Sequence, residues 1–169
     1  MSKNITFVDE NDNIIGSGTK KQAWENGNIH RIARLFVFNS KGELLIHKRS
    51  DKLKNLPGRW DQSASGHVDE GEDYLAAAER ELEEEMGIKG VELEEVGKFY
   101  QDEVDDDGKI KKRFNMLYKA RHDGEVNFSK GEVSEIKWVN INDLRRQMKE
   151  KPKDFTQGFI DSVELHLFK

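Results

Sequence analysis

The sequence predicts an α/β sandwich, in which a mixed β-sheet packs against helices. Apolar runs of strand length alternate with segments of helical period along the chain. Short turns rich in Asn, Asp and Gly join some of the runs directly, as in antiparallel hairpins. Helical segments separate other runs, and interspersed strands and helices are typical of a sheet covered by helices.

Length and composition favour one domain over residues 1–169. The chain is 35% hydrophobic and 36% charged, with enough residues for a real core. It contains no Cys, which fits a reducing cytosol, so we expect a cytoplasmic protein. The mild acidity argues against nucleic-acid binding. No signal peptide or membrane-spanning apolar run is evident, so we expect no membrane partner.

The first half of the chain predicts short elements joined by turns. Residues 5–18 read as two strands around an Asp-Asn turn, and Lys20–Asn26 as a short helix capped by Thr19. The apolar runs His30–Phe38 and 43–49 flank the sequence Asn-Ser-Lys-Gly, which indicates a hairpin.

The remaining elements follow from the same signals. A loop is predicted at 51–59, around Pro57-Gly58, and a strand and turn at 60–68. The other strands are predicted at 91–104, 109–120 and 136–139, with a hairpin turn at 105–108. Helices are predicted at 142–150 and 155–168, and the last one has enough apolar residues for a core or a dimer contact.

The densest charge lies in residues 66–88, GHVDEGEDYLAAAERELEEEMGI. Between Asp69 and Glu85, nine acids against a single base, Arg80, give a net charge of −8, although the whole chain carries −5. Like charges three or four residues apart destabilise a helix, so we expect a divalent cation to compensate them. Oxygen ligands without Cys favour Mg²⁺ or Mn²⁺ over Zn²⁺.

This stretch predicts a helix with two distinct faces. Asp73 is the expected N-cap, and Gly87 is the expected stop in the left-handed conformation. Three carboxylates spaced three and four residues apart share one face: Glu81, Glu84 and Glu85. Glu83 points elsewhere. A second face, predicted to be buried, carries the apolar residues Leu75, Ala78, Leu82 and Met86.

The same residues carry a family resemblance. The stretch resembles the Nudix box, G-x5-E-x7-R-E-U-x-E-E-x-G-U, in which U is a bulky aliphatic residue. All nine fixed positions match: Gly66, Glu72, Arg80, Glu81, Leu82, Glu84, Glu85, Gly87 and Ile88. The resemblance implies a Nudix-type α/β/α sandwich with a mixed β-sheet. It also implies a metal-dependent hydrolase that cleaves a diphosphate linkage.

The flanking segments narrow this resemblance. Residues 7–72 are similar to the isopentenyl-diphosphate-isomerase-like branch of the family. The isomerases, however, have a catalytic Cys where this chain has Ser65, and a His that nothing matches around Ala23 and Trp24. Their later glutamates fall near residues 112–116, KRFNM, which contain no acid. Diphosphate hydrolysis is therefore the implied reaction, and isomerisation of isopentenyl diphosphate is the alternative.

The resemblance also implies roles for individual residues. The implied metal ligands are Glu81, Glu84, Glu85 and the backbone carbonyl of Gly66. The implied catalytic residues are Glu81, Arg80 and Glu84. Arg80 would orient a box carboxylate through charge-assisted hydrogen bonds. Glu81 is the expected base, with Glu132 or Glu135, in the loop before the strand at 136–139, as alternatives.

Several residues near the box keep two interpretations. Glu72 would either structure the loop or join an outer metal site. Arg49, Lys52 and Lys54 would hold phosphate or form a basic surface loop. His67 matches an isomerase metal ligand, but a hydrogen-bonded turn histidine fits equally.

These observations favour a hydrolase acting on a small-molecule diphosphate. The expected substrate is a nucleoside diphosphate linked to another moiety, or a similar small pyrophosphate, and the expected cofactor is Mg²⁺ or Mn²⁺. We expect a monomer or a homodimer. A non-catalytic nucleotide-binding module is a further alternative, against which the complete box argues.

Overall fold

A computed structural model describes residues 3–168 and confirms the predicted α/β sandwich with a mixed sheet. The strands of the described residues are β1 (Ile5–Val8), β2 (Ile14–Gly18), β3 (His30–Phe38), β4 (Leu44–Arg49), β5 (Trp60–Asp61), β6 (Ala64–His67), β7 (Glu94–Val104), β8 (Ile110–Arg121) and β9 (Val133–Val139). The helices are α1 (Lys20–Asn26), α2 (Tyr74–Met86), α3 (Ile141–Glu150) and α4 (Gln157–His166), with a 3₁₀ turn at Pro152–Asp154.

Strand β3 is the centre of the sheet. It runs parallel to β8, with His30 opposite Arg113 and Phe38 opposite Arg121. It runs antiparallel to β1, β4 and β6. Strand β9 extends the sheet beyond β4, and β7 pairs with β8. The sheet is therefore mixed, and the short strand β6 holds the start of the acidic segment beside the central strand.

Two apolar cores cover the two faces of the sheet. Successive residues of a strand point to opposite faces, so β3 contributes to both. Leu35 packs with Leu82 and Met86 of α2, whereas Phe36 packs with Leu144 of α3 and Phe159 of α4. The C-terminal helix is therefore part of the core. No helix within residues 3–168 is long and apolar enough to cross a bilayer.

The local signals for the helix ends are confirmed. Thr19 caps α1 and accepts a hydrogen bond from the Gln22 amide. Asp73 caps α2 by accepting from the Ala76 amide, and Gly87 ends that helix with a φ of 65°.

Several predictions were wrong in detail. Strand β7 begins at Glu94 rather than at residue 91, and helix α4 spans Gln157–His166 rather than 155–168. Strand β9 begins at Val133 rather than at residue 136, so Glu135 lies within the strand and not in the preceding loop. Its pairing with β4 extends to this end because Glu135 lies opposite Lys48. Leu75 is 43% exposed, whereas Ala77 is buried. The buried face of α2 is rotated towards the carboxylate stripe, which the spacing of apolar residues did not indicate.

Candidate functional site

Gly66 lies where the acidic helix meets the sheet. It sits on β6 opposite Ala33 of β3, and the carboxylate of Glu81 from α2 lies directly against it. A Cβ atom on Gly66 would be 2.1 Å from Glu81 Cδ, far inside van der Waals contact. The missing side chain therefore creates the space that the Glu81 carboxylate uses.

Arg80 organises the loop and the carboxylates around it. Its Nε and Nη2 donate to the two oxygens of Glu72 at 2.7 and 2.9 Å, a bidentate pair. Its Nη1 donates to Glu81 Oε1 at 2.7 Å and to Glu84 Oε2 at 3.3 Å, while Nη2 also reaches the carbonyl of His67 at 3.0 Å. The hydrogen bonds that Arg80 donates to Glu72, and then those that it donates to Glu81, raise the pKa of Arg80. We call Arg80 and its acidic partners the Arg80 hub.

Two carboxylates of this region lie side by side, Glu85 buried and Glu81 partly buried. Glu85 is 8% exposed, and burial together with the charges of Glu81, Glu132 and Asp61 raises its pKa well above the ordinary value. Burial also raises the pKa of Glu81, although Arg80 opposes that shift. Among the described residues, Glu85 has no ion pair with a cation. When both groups are ionised, the Glu81–Glu85 pair therefore carries more negative charge than its protein neighbours compensate.

The donor set fits a hard divalent cation. Carboxylate oxygens and a nearby backbone carbonyl are the ligands that Mg²⁺ and Mn²⁺ prefer. The under-compensated pair of Glu81 and Glu85, beside the space at Gly66, supplies such oxygens. Within residues 3–168, no three His, Asp or Glu side chains already form a ready ligand set. In this structure Arg80 engages oxygens of Glu81 and Glu84 instead.

A cavity of about 490 Å³ opens beside these carboxylates. Its size is typical of a small-molecule site. One end is acidic and is lined by Glu81, Glu84 and Glu85 of α2. The part of the lining from α1, β3, β7, β8 and the β7–β8 turn mixes charges, with Lys20, Trp24, Arg34, Lys111 and Arg113 beside the acids Glu103, Asp105 and Asp106. We call the part of the lining around Arg34 and Arg113 the basic end, and the part formed by α2 the acidic end.

The predicted phosphate-binding residues differ in whether they line the cavity. Arg49 lines the cavity, and its guanidinium donates to the carbonyls of Asn55 and Leu56. Lys52 and Lys54 are exposed and lie outside the cavity lining. Arg59, from the same loop, lines the cavity and pairs with an Asp of the β7–β8 turn.

Of the two alternative bases and the predicted histidine, only some line the cavity. Glu132 lines the cavity and lies near enough to raise the pKa of Glu85, whereas Glu135 does not line the cavity. His67 lines the cavity and stacks on His30 with ring centroids 5.4 Å apart. Its buried Nε2 has no hydrogen-bond partner among the described residues. Its assigned role remains a prediction.

Sequence reasoning missed the basic end of the cavity. Arg34 stands between the apolar residues Ile32–Ala33 and Leu35–Phe38 of β3, and a charge in such a run is a usable signal. Arg113 gives no comparable signal because the residues before it are also basic. Only the parallel pairing of β3 with β8 brings these two arginines to one face of the sheet.

Comparisons with known proteins agree with this architecture. The family model for the NUDIX domain matches residues 28–159. An isopentenyl-diphosphate Δ-isomerase of Serratia proteamaculans is 35% identical over 161 residues, covering 95% of this chain and 89% of its own length. An uncharacterized Nudix hydrolase of Pseudomonas aeruginosa is 36% identical over 135 residues, covering 80% of this chain and 77% of its own.

Solved structures show the same fold. A Deinococcus radiodurans protein superposes with a TM-score of 0.73 at 23% identity, covering 88% of this chain and 90% of its own. A MutT NUDIX hydrolase of Burkholderia pseudomallei gives a TM-score of 0.64 at 23% identity, with coverages of 81% and 97%. The complete box, the fold and these matches show that the chain belongs to the Nudix family, in its isopentenyl-diphosphate-isomerase-like branch.

Proposed function

We propose that this protein is a Mg²⁺- or Mn²⁺-dependent hydrolase. Its substrate would be a nucleoside diphosphate linked to another moiety, or a similar small pyrophosphate. The main support is the under-compensated Glu81–Glu85 pair, which lies against Gly66 at the acidic end of the cavity. Family membership supports the use of a divalent metal, which Nudix enzymes generally require.

The chain's own residues would divide the work. Glu81, Glu84, Glu85 and the Gly66 carbonyl would hold the cation, which neutralises phosphate charge and lowers the pKa of bound water. Arg80 fixes the Glu81 carboxylate through the 2.7 Å bond, so that this oxygen keeps its orientation in the cavity. Glu81 would accept the proton of the attacking water, and Glu132, on the cavity wall, is the alternative base.

Isomerisation of isopentenyl diphosphate remains the second candidate. Its support is the 35% identity to an isomerase over nearly the whole chain. Two observations argue against it. Ser65 replaces the catalytic Cys, and the far end of the cavity is lined by Arg34 and Arg113, whose charges suit a hydrocarbon chain poorly. Incubation with isopentenyl diphosphate tests this candidate by NMR, because formation of the dimethylallyl isomer would support it.

A substrate panel tests the hydrolase proposal directly. Wild type would be incubated with Mg²⁺ and nucleotide sugars, dinucleoside polyphosphates or ADP-ribose, and the products would be identified by mass spectrometry. The key variant is Glu84→Gln, and Glu83→Gln is its matched control because Glu83 is an exposed neighbour outside the cavity lining. We expect Glu84→Gln to lower kcat/KM by about 100-fold, because a preorganised charge is removed.

The outcomes separate the hypotheses. Hydrolysis by wild type and Glu83→Gln, with loss in Glu84→Gln, would support the hydrolase. Equal product release by wild type and Glu84→Gln would contradict it. Nucleotide binding without turnover of any panel member would favour the non-catalytic module instead.

A further inference from the structure

The basic end of the cavity contains two buried guanidiniums. Arg34 of β3 is 3% exposed and Arg113 of β8 is 8% exposed, and both line the cavity. In the parallel pairing of β3 with β8, Arg113 lies opposite His30, so Arg34 and Arg113 point to the same face of the sheet. A buried charge is costly unless it is paired, so the partners of these side chains matter.

Both guanidiniums are held by neutral amides. Arg34 Nε donates to Asn115 Oδ1 at 2.8 Å, and its Nη1 donates to Gln62 Oε1 at 3.0 Å. Arg113 Nε donates to Gln101 Oε1 at 2.6 Å. Within residues 3–168, no carboxylate oxygen lies within the 4.0 Å ion-pair distance of either guanidinium. The two arginines are therefore positioned by amides and have no direct ion pair within the described part of the chain.

Among the described residues, the acids around this end pair directly with neither arginine, and two of them, Glu103 and Asp161, pair with no cation. Four carboxylates are close enough to act on the arginines electrostatically, namely Asp61, Glu103, Asp105 and Asp161. Asp61 pairs with Arg49 and accepts from Thr156, and Asp105 pairs with Lys111 at 2.8 Å. The other two accept from the amide of Gln101 at 3.1 and 3.2 Å. Gln101 thus separates Arg113 from both of them.

Helix α4 adds positive potential at the same place. Its first residues, Gln157 and Gly158, line the cavity, and first-turn amides have no partner within their own helix. The Arg34 guanidinium packs against this turn so closely that a Cβ on Gly158 would lie 2.2 Å from Nη2. A cation at the positive end of a helix is unfavourable without an anion, and here the Asp61 carboxylate, which accepts from the N-cap Thr156, supplies one negative charge. Trp24 Nε1, a buried donor of the same cavity lining whose ring lies beside His67, has no hydrogen-bond partner among the described residues.

The guanidiniums keep their charge under ordinary conditions. Burial, and then repulsion from Arg34, lowers the pKa of Arg113 to about 9. It therefore remains protonated at neutral pH, beside amides that cannot neutralise it.

We propose that Arg34, Arg113 and the first turn of α4 form a subsite for a second anionic group of the substrate, a phosphate or a carboxylate on the moiety linked to the nucleoside diphosphate. This inference rests on the proposed function, which assigns the scissile diphosphate to the acidic end of the same cavity. The substrate class is accordingly a nucleoside diphosphate compound with an additional anion, rather than a neutral sugar or a hydrocarbon.

Matched substrate pairs test this specificity. Two pairs differ by one phosphate: NADP⁺ against NAD⁺, and coenzyme A against dephospho-coenzyme A. A third pair, UDP-glucuronate against UDP-glucose, differs by a carboxylate. For at least one pair, we expect wild type with Mg²⁺ to prefer the more anionic member by about tenfold or more in kcat/KM, from charge-assisted hydrogen bonds. The ratio of the two kcat/KM values should fall towards one in Arg113→Gln. It should persist in Arg121→Gln, because Arg121 is an exposed residue at the end of β8. The type of pair that shows it distinguishes phosphate from carboxylate.

A binding measurement separates this inference from the hydrolase proposal. Calorimetry with inorganic phosphate and the full chain, in EDTA and then in Mg²⁺, reports on the basic end without turnover. We expect phosphate to bind wild type and Arg121→Gln in EDTA, and its Kd to rise at least about tenfold in Arg113→Gln. Arg113→Lys should restore part of the affinity. Arg34→Gln provides a second test if circular dichroism shows that Arg113→Gln does not fold.

Each result has a definite meaning. Equal phosphate binding by wild type and the folded Gln variants, or no binding by wild type, would overturn the subsite. Hydrolysis of the less anionic substrates without phosphate binding would overturn the subsite and leave the hydrolase proposal standing. Phosphate binding that needs Arg113, without hydrolysis of any substrate, would support the subsite and contradict the hydrolase proposal.

Discussion

Two polar hubs connect loops to helix α2. The central residue is a cation in one hub and a carboxylate in the other. In the Arg80 hub, one cation contacts several acids: Asp69, Glu72, Glu81 and Glu84. In the second, which we call the Asp12 hub, one carboxylate accepts from three donors: Arg31 at 2.7 Å, Tyr74 at 2.8 Å and Lys98 at 2.9 Å. The Arg80 hub lies within one segment of the chain, whereas the Asp12 hub joins residues up to 86 positions apart.

The difference between the hubs lies in charge balance and access. The Asp12 side chain is 8% exposed, its donors compensate its charge, and it does not line the cavity. The Arg80 hub has an excess of acids and opens into the cavity. A compensated hub needs nothing more than the fold provides, whereas an excess of buried carboxylate calls for a cation from outside. We therefore interpret the Asp12 hub as structural and the Arg80 hub as functional.

Substitution of Gly66 should lower kcat/KM the most, because it displaces the Glu81 carboxylate. It leaves every charge of the Arg80 hub in place. In Gly66→Ala the new Cβ would meet the Glu81 carboxylate at 2.1 Å, so that carboxylate must move. We expect kcat/KM to fall by about 100-fold or more, since small displacements of positioned groups are costly in catalysis. Steady-state kinetics on the best panel substrate measures this.

Gly131→Ala is the matched control for this experiment. A Cβ on Gly131 would meet no atom within 4 Å, so we expect kcat/KM to change by less than about twofold. A folded Gly66→Ala variant with wild-type activity would show that the position of Glu81 does not matter to the reaction.

The sequence was sufficient for features that depend on neighbouring residues. Asp73 and Gly87 bound α2 through contacts within a few residues, and the box fixes the register of Gly66 against Glu81. The helix could therefore be predicted closely. The rotation that exposes Leu75 could not, because it depends on how α2 packs against the sheet.

Long-range polar contacts could not be predicted from the sequence, because local spacing does not indicate a distant partner. Asp12 meets Lys98 across 86 positions, and Arg34 meets Asn115 across 81. Neither residue in such a pair has local spacing that indicates its partner. The acidic end of the cavity was therefore predictable from one segment, whereas the basic end required the sheet pairing.

Replacing the central cation should have a smaller effect than displacing Glu81. Lys cannot reproduce the bidentate bonds that Arg80 makes to Glu72, although it keeps the charge. We expect Arg80→Lys to lower kcat/KM by about tenfold and the free energy of unfolding by about 2 kcal/mol. Kinetics and chemical denaturation measure the two effects.

Arg146→Lys provides the comparison for this change. Arg146 makes an exposed pair with Asp143 on α3, where an Arg-to-Lys change should cost less than about 0.5 kcal/mol. Equal losses in the two variants would argue against a special role for the Arg80 hub.

The smallest effect on activity should come from the Asp12 hub. Asp12 has a φ of 63°, which Asn tolerates well, so Asp12→Asn removes the charge without backbone strain. We expect the free energy of unfolding to fall by about 1–2 kcal/mol at pH 7, and kcat/KM to stay within about twofold. Stabilisation by Mg²⁺, measured as a shift in Tm, should persist in Asp12→Asn and be lost in Glu85→Gln.

The stability difference between wild type and Asp12→Asn should depend on pH in a predictable direction. Burial alone would raise the pKa of Asp12, but hydrogen bonds from Lys98, Arg31 and Tyr74 hold it below its ordinary value. A carboxylate with a lowered pKa in the folded state stabilises the protein above its unfolded pKa, which is about 3.9 for Asp. The stability difference between wild type and Asp12→Asn should therefore be full at pH 7 and narrow as the pH falls below about 4. A difference that widened on acidification would mean that Asp12 is not held as a carboxylate by its three donors.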